Sequence, residues 1–257
     1  GSAGANIGKT ELACALIRKF SKSKPIIGIK VTTIKAKDGQ CPRGGQGCGV
    51  CSSLEGNFCI TQETDADSGK DTARLLAAGA AKVFWLRVMK THLKEGLADL
   101  LDEIGADAVS LCESNSLRQV VKPGLFLMVR GKDPRMWKSS ADAVKKYADK
   151  VVVSPQSRKG RLVADALRQD GSSFDFDIGL IKLLGGKWVM QEQATAIIMA
   201  GGDSRRMGMD KSVLAINGKP IVEIIAEQIR TSFSQTLISA NDAEKFAFLG
   251  LQIVPDR

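Results

Sequence analysis

The first ten residues contain a glycine-rich segment with the spacing of a phosphate-binding loop, Ala3-Gly4-Ala5-Asn6-Ile7-Gly8-Lys9-Thr10, with alanine in place of the usual first glycine. Such a loop, here lined by Gly4, Asn6 and Gly8, lets backbone N–H groups curl around phosphates, and the following helix presents its positive end to them. We expect Lys9 to reach the β- and γ-phosphates and the Thr10 hydroxyl to bind Mg²⁺. The alternative is a glycine-rich helix start with a chance Gly-Lys-Thr.

An acidic residue beside the loop would complete a magnesium site. Asp107 and Glu113 flank a predicted strand at residues 108–112. Glu113 is at the carboxyl end, where ligands bind in open α/β sheets, so we expect it to hold Mg²⁺ or its water. An ordinary loop carboxylate is the alternative. The chain contains no Asn-Lys-x-Asp motif, so its sequence does not indicate which base this site prefers.

Four of the six cysteines fall close together in the spacing C-x6-C-x2-C-x7-C: Cys41, Cys48, Cys51 and Cys59. The surrounding segment is rich in glycine and polar residues, which favours a loop wrapped around a metal. Four thiolates suit either tetrahedral Zn²⁺ or an iron–sulfur cluster, and the spacing does not separate the two. The alternatives are free or redox-active thiols and two disulfides, which a reducing compartment disfavours.

A second glycine-rich loop, residues 200–211, follows an apolar strand pattern at residues 195–199. Such a loop suits a triphosphate, because its backbone amides bind phosphates while basic side chains neutralise the charge that builds on leaving pyrophosphate. We expect Arg206 and Lys211 to stabilise that charge and residues 200–204, including Gly202 and Ser204, to cradle the phosphates. A generic anion-binding loop is the alternative.

Apolar runs rich in β-branched residues alternate with helical patterns, which predicts an α/β protein with a mostly parallel sheet and flanking helices, like a P-loop NTPase. Strands are predicted at residues 26–34, 82–88, 108–112, 125–129, 150–153 and 195–199. Helices are predicted at residues 11–20, 71–78, 92–103, 140–147 and 161–167, and a hairpin around Gly185-Gly186.

The polar stretch at residues 191–193 suggests a domain boundary. We expect a P-loop domain over residues 1–193, with a cysteine-cluster insertion at residues 38–62, and a second domain over residues 194–257. The sequence starts inside the phosphate-loop motif, so we expect the P-loop domain to lack its first strand.

Composition excludes several classes of function. With 44% apolar and 25% charged residues the chain is not disordered overall, and no run approaches the roughly 18 apolar residues of a membrane span. The net charge of +9 lies entirely before Ala194, without a long basic run. Together with only 13 aromatic residues, this disfavours nucleic acid and fits a small polyanion such as a nucleotide. Without a secretory leader pattern, we expect a cytoplasmic location.

The motif Met-Ala-Gly-Gly-x-Ser-x-Arg-Met-Gly-x-Asp-Lys from Met199 to Lys211, followed by Asn-Gly-Lys-Pro at 217–220, closely resembles the molybdenum cofactor guanylyltransferases. The resemblance implies a Rossmann-like nucleotidyltransferase domain. It also implies a set of GTP contacts: Met199, Ala200, Gly201, Lys211, Asn241 and Asp256. Asp210 favours guanylyl over cytidylyl relatives. The family's Mg²⁺-binding aspartate lies on a later strand, so we expect the chain as written to be catalytically incomplete.

Residues 1–193 resemble the P-loop protein of molybdopterin-guanine dinucleotide biosynthesis. The shared marks are the phosphate loop, Lys30 within a strand, Gly-Lys-Asp-Thr at 69–72, Ala-Ala-Gly-Ala at 77–80, and Glu113 after a strand. The loop after Lys30 bears histidines in that family, whereas here it holds the cysteine cluster.

These resemblances imply a fused molybdenum cofactor protein that transfers GMP from GTP to molybdopterin, with an accessory GTP-binding domain and with molybdoenzymes as recipients of the product. Two alternatives stay open. In the first, the chain is a cytidylyl or sugar-nucleotide transferase. In the second, its P-loop half is an adaptor module that carries a metal cluster.

Overall fold

The computed structural model describes residues 1–34, 54–154, 174–200 and 214–255. The chain forms two compact units, Gly1–Ile178 and Gly179–Arg257. The predicted helix at residues 161–167 lies outside the described residues. No helix in the described ranges is long and apolar enough to cross a membrane.

The first unit alternates helices and strands. Its elements are α1 (Lys9–Phe20), β1 (Ile27–Ile34), β2 (Phe58–Gln62), α2 (Asp71–Ala77), β3 (Lys82–Met89), α3 (Leu93–Ile104), β4 (Ser110–Glu113), β5 (Leu127–Arg130), α4 (Ser139–Asp142) and β6 (Lys150–Val153). Strands β1, β3 and β4 correspond to predicted apolar runs, as buried parallel strands do.

Four of these strands form one sheet in the order β2-β3-β1-β4, in which β1 pairs in parallel with β3 and β4, and β2 is antiparallel to β3. Strands β5 and β6 form a parallel pair. The main core contains seven buried residues from these strands, α3 and the segment after β4: Ile29, Phe84, Leu86, Val88, Leu93, Leu100 and Leu117. Burying such side chains stabilises the unit by roughly 1.5–3 kcal/mol each.

The segment that leads into the phosphate loop runs alongside β5. Ser2 forms a parallel bridge with Val129, and the Ala3 N–H donates to the Val129 carbonyl at 2.8 Å. The Asn115 side chain, just beyond β4, accepts from the Ser2 N–H at 2.8 Å and donates to the Ser2 carbonyl at 2.9 Å. The loop therefore starts from a segment that is fixed to β5 and to the end of β4.

The second unit contains β7 (Ile181–Leu184), β8 (Lys187–Met190), β9 (Glu192–Met199), β10 (Ala215–Ile216), β11 (Lys219–Pro220), α5 (Ile221–Ser232), β12 (Phe233–Ser239), α6 (Ala243–Phe246) and β13 (Gln252–Val254). Strands β13, β12 and β9 form a parallel sheet in that order. Helix α5 buries Val222 and Ala226 against Ile198 and Ile238 of this sheet.

The observed elements confirm a mixed α/β protein with parallel sheets and correct one element. The predicted helix at 140–147 is wrong as a single helix, because α4 ends at Asp142 and a separate 3₁₀ turn covers Lys145–Tyr147. Val144 separates the two with φ −124° and is fully buried, and a β-branched residue of this kind is a weak helix former. The antiparallel strand β2 was not predicted.

Candidate nucleotide-binding sites

The phosphate loop leads directly into α1, and two of its residues adopt left-handed backbone conformations. Asn6 has φ 53°, and Gly8 has φ 89° at the residue preceding the helix. Lys9 opens α1 and Thr10 is buried in its first turn. The N–H groups of a first helical turn have no carbonyl partner within the helix and can bind an anion. These features are compatible with an anion site at the start of α1.

Gly8 also lies too close to its neighbours for a side chain. A Cβ atom there would be 3.0 Å from Ser154 Oγ, just after β6, and 3.3 Å from the Phe174 ring. Both the positive φ and the close approach require glycine at this position.

Replacing Gly8 with alanine should therefore destabilise the protein by about 2–4 kcal/mol, which combines left-handed strain with overpacking. Urea denaturation measures this change. Gly56→Ala is the matched control, because Gly56 has φ 75° but an alanine methyl group there would have no neighbour within 4 Å, so about 1 kcal/mol is expected. Equal losses in the two variants would contradict the close packing of the phosphate loop.

Glu113, the last residue of β4, lies beside the phosphate-loop lysine. It is only 2% exposed, and neither carboxylate oxygen has a hydrogen-bond partner among the described residues. Its Oε2 is 3.8 Å from Lys9 Nζ, an ion-pair distance that is too long for a hydrogen bond. Buried carboxylates are normally hydrogen-bonded, so we expect a partner for this group from a ligand or from residues outside the described ranges.

The side chains of Thr10 and Glu113 fit the oxygen ligands that Mg²⁺ prefers. The unsatisfied oxygens of Glu113 are the observation that supports this fit. Asp107, by contrast, precedes β4 and is at the opposite end of that strand from Glu113.

Glu113→Gln should raise the free energy of unfolding by about 1 kcal/mol, because a neutral amide is less costly to bury without partners than a carboxylate. The same change should weaken Mg²⁺-dependent nucleotide binding about tenfold. Thermal unfolding and calorimetric titration measure the two effects, with the exposed Glu95→Gln as control. A variant that loses stability while it keeps its nucleotide affinity would contradict a ligand-binding role for Glu113.

The cysteine cluster is described only at one position. Cys59 lies on β2, where Arg87 Nη2 donates to its Sγ at 3.2 Å, and Cys41, Cys48 and Cys51 lie outside the described residues. Within the described ranges, no group of three or more His, Cys, Asp or Glu side chains is arranged to hold a metal. A metal at the four cysteines therefore stays a prediction.

Cys14 lies on the buried face of α1. It is buried and hydrogen-bonded to the Arg74 carbonyl at 3.4 Å, and burial raises the pKa of its thiol to about 11. The thiol is therefore neutral at physiological pH and is a poor nucleophile or metal ligand.

In the second unit, three of the expected GTP contacts lie at the carboxyl ends of parallel strands. Met199 ends β9 and is 69% exposed, and the Ala200 N–H donates to the Ser239 carbonyl of β12 at 2.8 Å. Asn241 follows β12, where the neighbouring Ala240 N–H donates to the Val254 carbonyl at 3.0 Å. Met199, Ala200 and Asn241 thus lie at one edge of the sheet, where ligands bind in α/β folds.

The remaining expected residues of this site lie outside the described residues: Gly201, Gly202, Ser204, Arg206, Lys211 and Asp256. After the loop, Asn217 and Gly218 take φ values of 52° and 79° and join β10 to β11, as Asn-Gly does in a tight hairpin. Pro220 then precedes the first residue of α5.

Comparison with known proteins supports a nucleotidyltransferase domain in the second unit. Residues 196–257 match the family of the MobA-like NTP transferase domain. The chain is 46% identical over 59 residues to a probable molybdenum cofactor guanylyltransferase of Natranaerobius thermophilus, a match that covers 23% of this chain and 29% of that protein. It is 44% identical over 62 residues to the molybdenum cofactor guanylyltransferase of Cereibacter sphaeroides, covering 23% and 32%.

A probable molybdenum cofactor guanylyltransferase of Aquifex aeolicus is 40% identical over 62 residues, covering 24% of this chain and 31% of that protein. The chain thus spans between 29% and 32% of the length of these three curated relatives. No solved structure matches it. The predicted nucleotidyltransferase domain is confirmed by the family match, and the fused phosphate-loop domain stays a prediction.

Proposed function

We propose that this protein is a molybdenum cofactor guanylyltransferase, which transfers GMP from GTP to molybdopterin, and that its phosphate-loop unit is an accessory GTP-binding domain. The observation that carries the proposal is the match of residues 196–257 to the MobA-like NTP transferase domain. The position of Met199, Ala200 and Asn241 at the carboxyl edge of the β13-β12-β9 sheet supports it, because a nucleotide at this edge would contact all three strand ends.

In the proposed reaction, an oxygen of the molybdopterin phosphate attacks the α-phosphorus of GTP. A new P–O bond forms there, the bond between the α-phosphorus and the α–β bridging oxygen breaks, and pyrophosphate leaves with that oxygen. Such a transfer asks little covalent chemistry of the protein and depends on positioning and charge stabilisation.

The proposed roles follow from where charge develops. Lys211 and Arg206 would neutralise the charge that builds on the leaving pyrophosphate. Backbone amides of the 200–204 loop would hold the phosphates, and Asn241 and Asp256 would contact the rest of GTP. Mg²⁺, when bound, would further screen the phosphate charges. Molybdoenzymes are the proposed recipients of the dinucleotide cofactor.

The support for GTP binding by the first unit comes from the phosphate loop and the residues around it. The supporting features are loop residues 4–10, the start of α1, and the buried Glu113 carboxylate, which has no hydrogen-bond partner among the described residues. GTP is the proposed ligand because the second unit would use the same nucleotide.

The guanylyl assignment is tested by incubating the full-length protein with molybdopterin, Mg²⁺ and each nucleoside triphosphate labelled at the α-phosphate. Label from GTP should appear in a molybdopterin dinucleotide. Transfer from CTP without transfer from GTP would favour the cytidylyl alternative instead.

The metal hypothesis for Cys41, Cys48, Cys51 and Cys59 has a separate test. Visible charge-transfer absorption of the anaerobically purified protein would indicate an iron–sulfur cluster, and a colourless protein with stoichiometric zinc would indicate a structural zinc site. Protein without either metal would leave four thiols and reject the hypothesis.

A further inference from the structure

A lysine on the central strand of the first sheet lies next to the proposed magnesium ligand. Lys30 of β1 is in register with Glu113 of β4, and because the two strands are parallel neighbours, both side chains are on the same face of the sheet. Glu113 is in turn 3.8 Å from Lys9 of the phosphate loop. The Glu113 carboxylate thus has a lysine on the neighbouring strand as well as one from the loop.

The ammonium group of Lys30 forms an ion pair with Asp71, the first residue of α2. Helix α2 is itself fixed against α1, because Arg74 pairs with Glu11 in the first turn of that helix. Burial acts to raise the pKa of Asp71, but the hydrogen bond and charge of Lys30 outweigh it and hold that pKa below its usual range. Asp71 is therefore ionised at neutral pH and the pair is intact.

The positive charges of two lysines are thus balanced by the negative charges of two carboxylates: Lys9, Lys30, Asp71 and Glu113. The Lys30 and Asp71 side chains are 23% and 42% exposed, and ion pairs with this much solvent contact contribute little to stability. A phosphate group carries more charge than a carboxylate and can replace Asp71 as the partner of Lys30.

We propose that Lys30 is a second phosphate-binding lysine of the phosphate-loop site, that it contacts the terminal phosphate, and that it makes the site selective for a nucleoside triphosphate over the diphosphate. The inference rests on the proposed nucleotide binding by this unit. The loop amides hold the phosphates nearest to the loop, and Lys9 reaches from the loop toward Glu113. Because Mg²⁺ in such sites bridges the β- and γ-phosphates and Glu113 is the proposed Mg²⁺ ligand, the terminal phosphate is the one expected near Glu113 and Lys30.

The test is calorimetric titration with GTP and with GDP, each with Mg²⁺, on the full chain carrying Lys211→Ala so that the second site is silenced. Lys30→Met should weaken GTP binding about 10- to 100-fold and GDP binding less than about threefold. Lys30→Arg, which keeps the charge, should retain most of the preference for GTP. Lys24→Met is the matched control, because Lys24 is an exposed lysine of the same unit, and it should change neither affinity.

Asp71→Asn separates a binding role from a structural one. Because it frees the Lys30 ammonium, it should keep or tighten GTP binding. Equal losses for GTP and GDP in Lys30→Met, or a loss in Asp71→Asn as large as in Lys30→Met, would overturn the proposal.

The role of Lys30 and nucleotide binding by the first unit can be tested separately. Suppose that the parent Lys211→Ala protein binds GTP and that adding Lys9→Ala abolishes this binding. If adding Lys30→Met then leaves the GTP affinity unchanged, only the role of Lys30 is wrong. If the parent protein binds neither GTP nor GDP, both the role of Lys30 and the nucleotide site fail.

Discussion

Lys9→Ala should abolish GTP binding at the phosphate-loop site, with an affinity loss of about 100-fold or more. Lys9 opens α1 next to the loop, and we expect its ammonium group to contact two phosphates, each through a charge-assisted hydrogen bond worth about 1.5–3 kcal/mol. Removing it also leaves Glu113 without its nearest positive charge. Equilibrium titration with GTP and Mg²⁺ measures the loss.

The matched control is Lys24→Ala, an exposed lysine beyond the end of α1. It should leave GTP affinity unchanged, and circular dichroism should show that both variants remain folded. GTP binding at the second site should be unaffected by Lys9→Ala. If one substitution eliminates all GTP binding, the two sites are not independent.

Lys211→Ala should reduce transfer of GMP to molybdopterin by about 10²–10³-fold, the usual effect of removing one group that stabilises charge in a transition state. Pyrophosphate release in the presence of GTP and molybdopterin provides the rate. The loss should appear in kcat/KM, because Lys211 is proposed both to bind GTP and to neutralise the charge that grows as pyrophosphate leaves.

The control for this change is Lys187→Ala, an exposed lysine on β8 in the same unit. It should change the rate less than about twofold, as expected for an exposed surface substitution. A Lys211→Ala protein with an unaltered kcat/KM would remove this lysine from the proposed chemistry.

Much of the fold was predictable from local pattern. The apolar runs at β1, β3 and β6 lie where the structure has parallel strands, because such strands are buried on both faces and lack polar alternation. The carboxyl-end position of Glu113 followed from the same argument. The hairpin of β7 and β8 followed from Gly185-Gly186, both of which have positive φ.

The features that the sequence pattern did not predict depend on residues that are distant in the sequence. Strand β2 is only five residues long and is stabilised by antiparallel pairing with β3, so little in its own neighbourhood distinguished it from the cysteine-rich loop. Its signal was the β-prone sequence Phe-Cys-Ile-Thr. The ion pair of Lys30 with Asp71 joins residues 41 positions apart, and no single-sequence rule pairs them.

Glu113 illustrates the same limit at the site. Its place at the end of a strand was predictable, but its burial without a hydrogen-bond partner in the described part of the chain depends on packing between β4 and α1. That unsatisfied group supports the proposed ligand-binding role of Glu113 over that of an ordinary loop residue.

The number of GTP molecules bound per chain tests most directly whether one protein combines a phosphate-loop site with a nucleotidyltransferase site. Calorimetric titration of the unaltered full-length protein with GTP and Mg²⁺ should give two equivalents. Lys9→Ala and Lys211→Ala should each leave one equivalent, and the double variant none. A single equivalent in the unaltered protein, or two equivalents that Lys9→Ala removes together, would contradict the two-site arrangement.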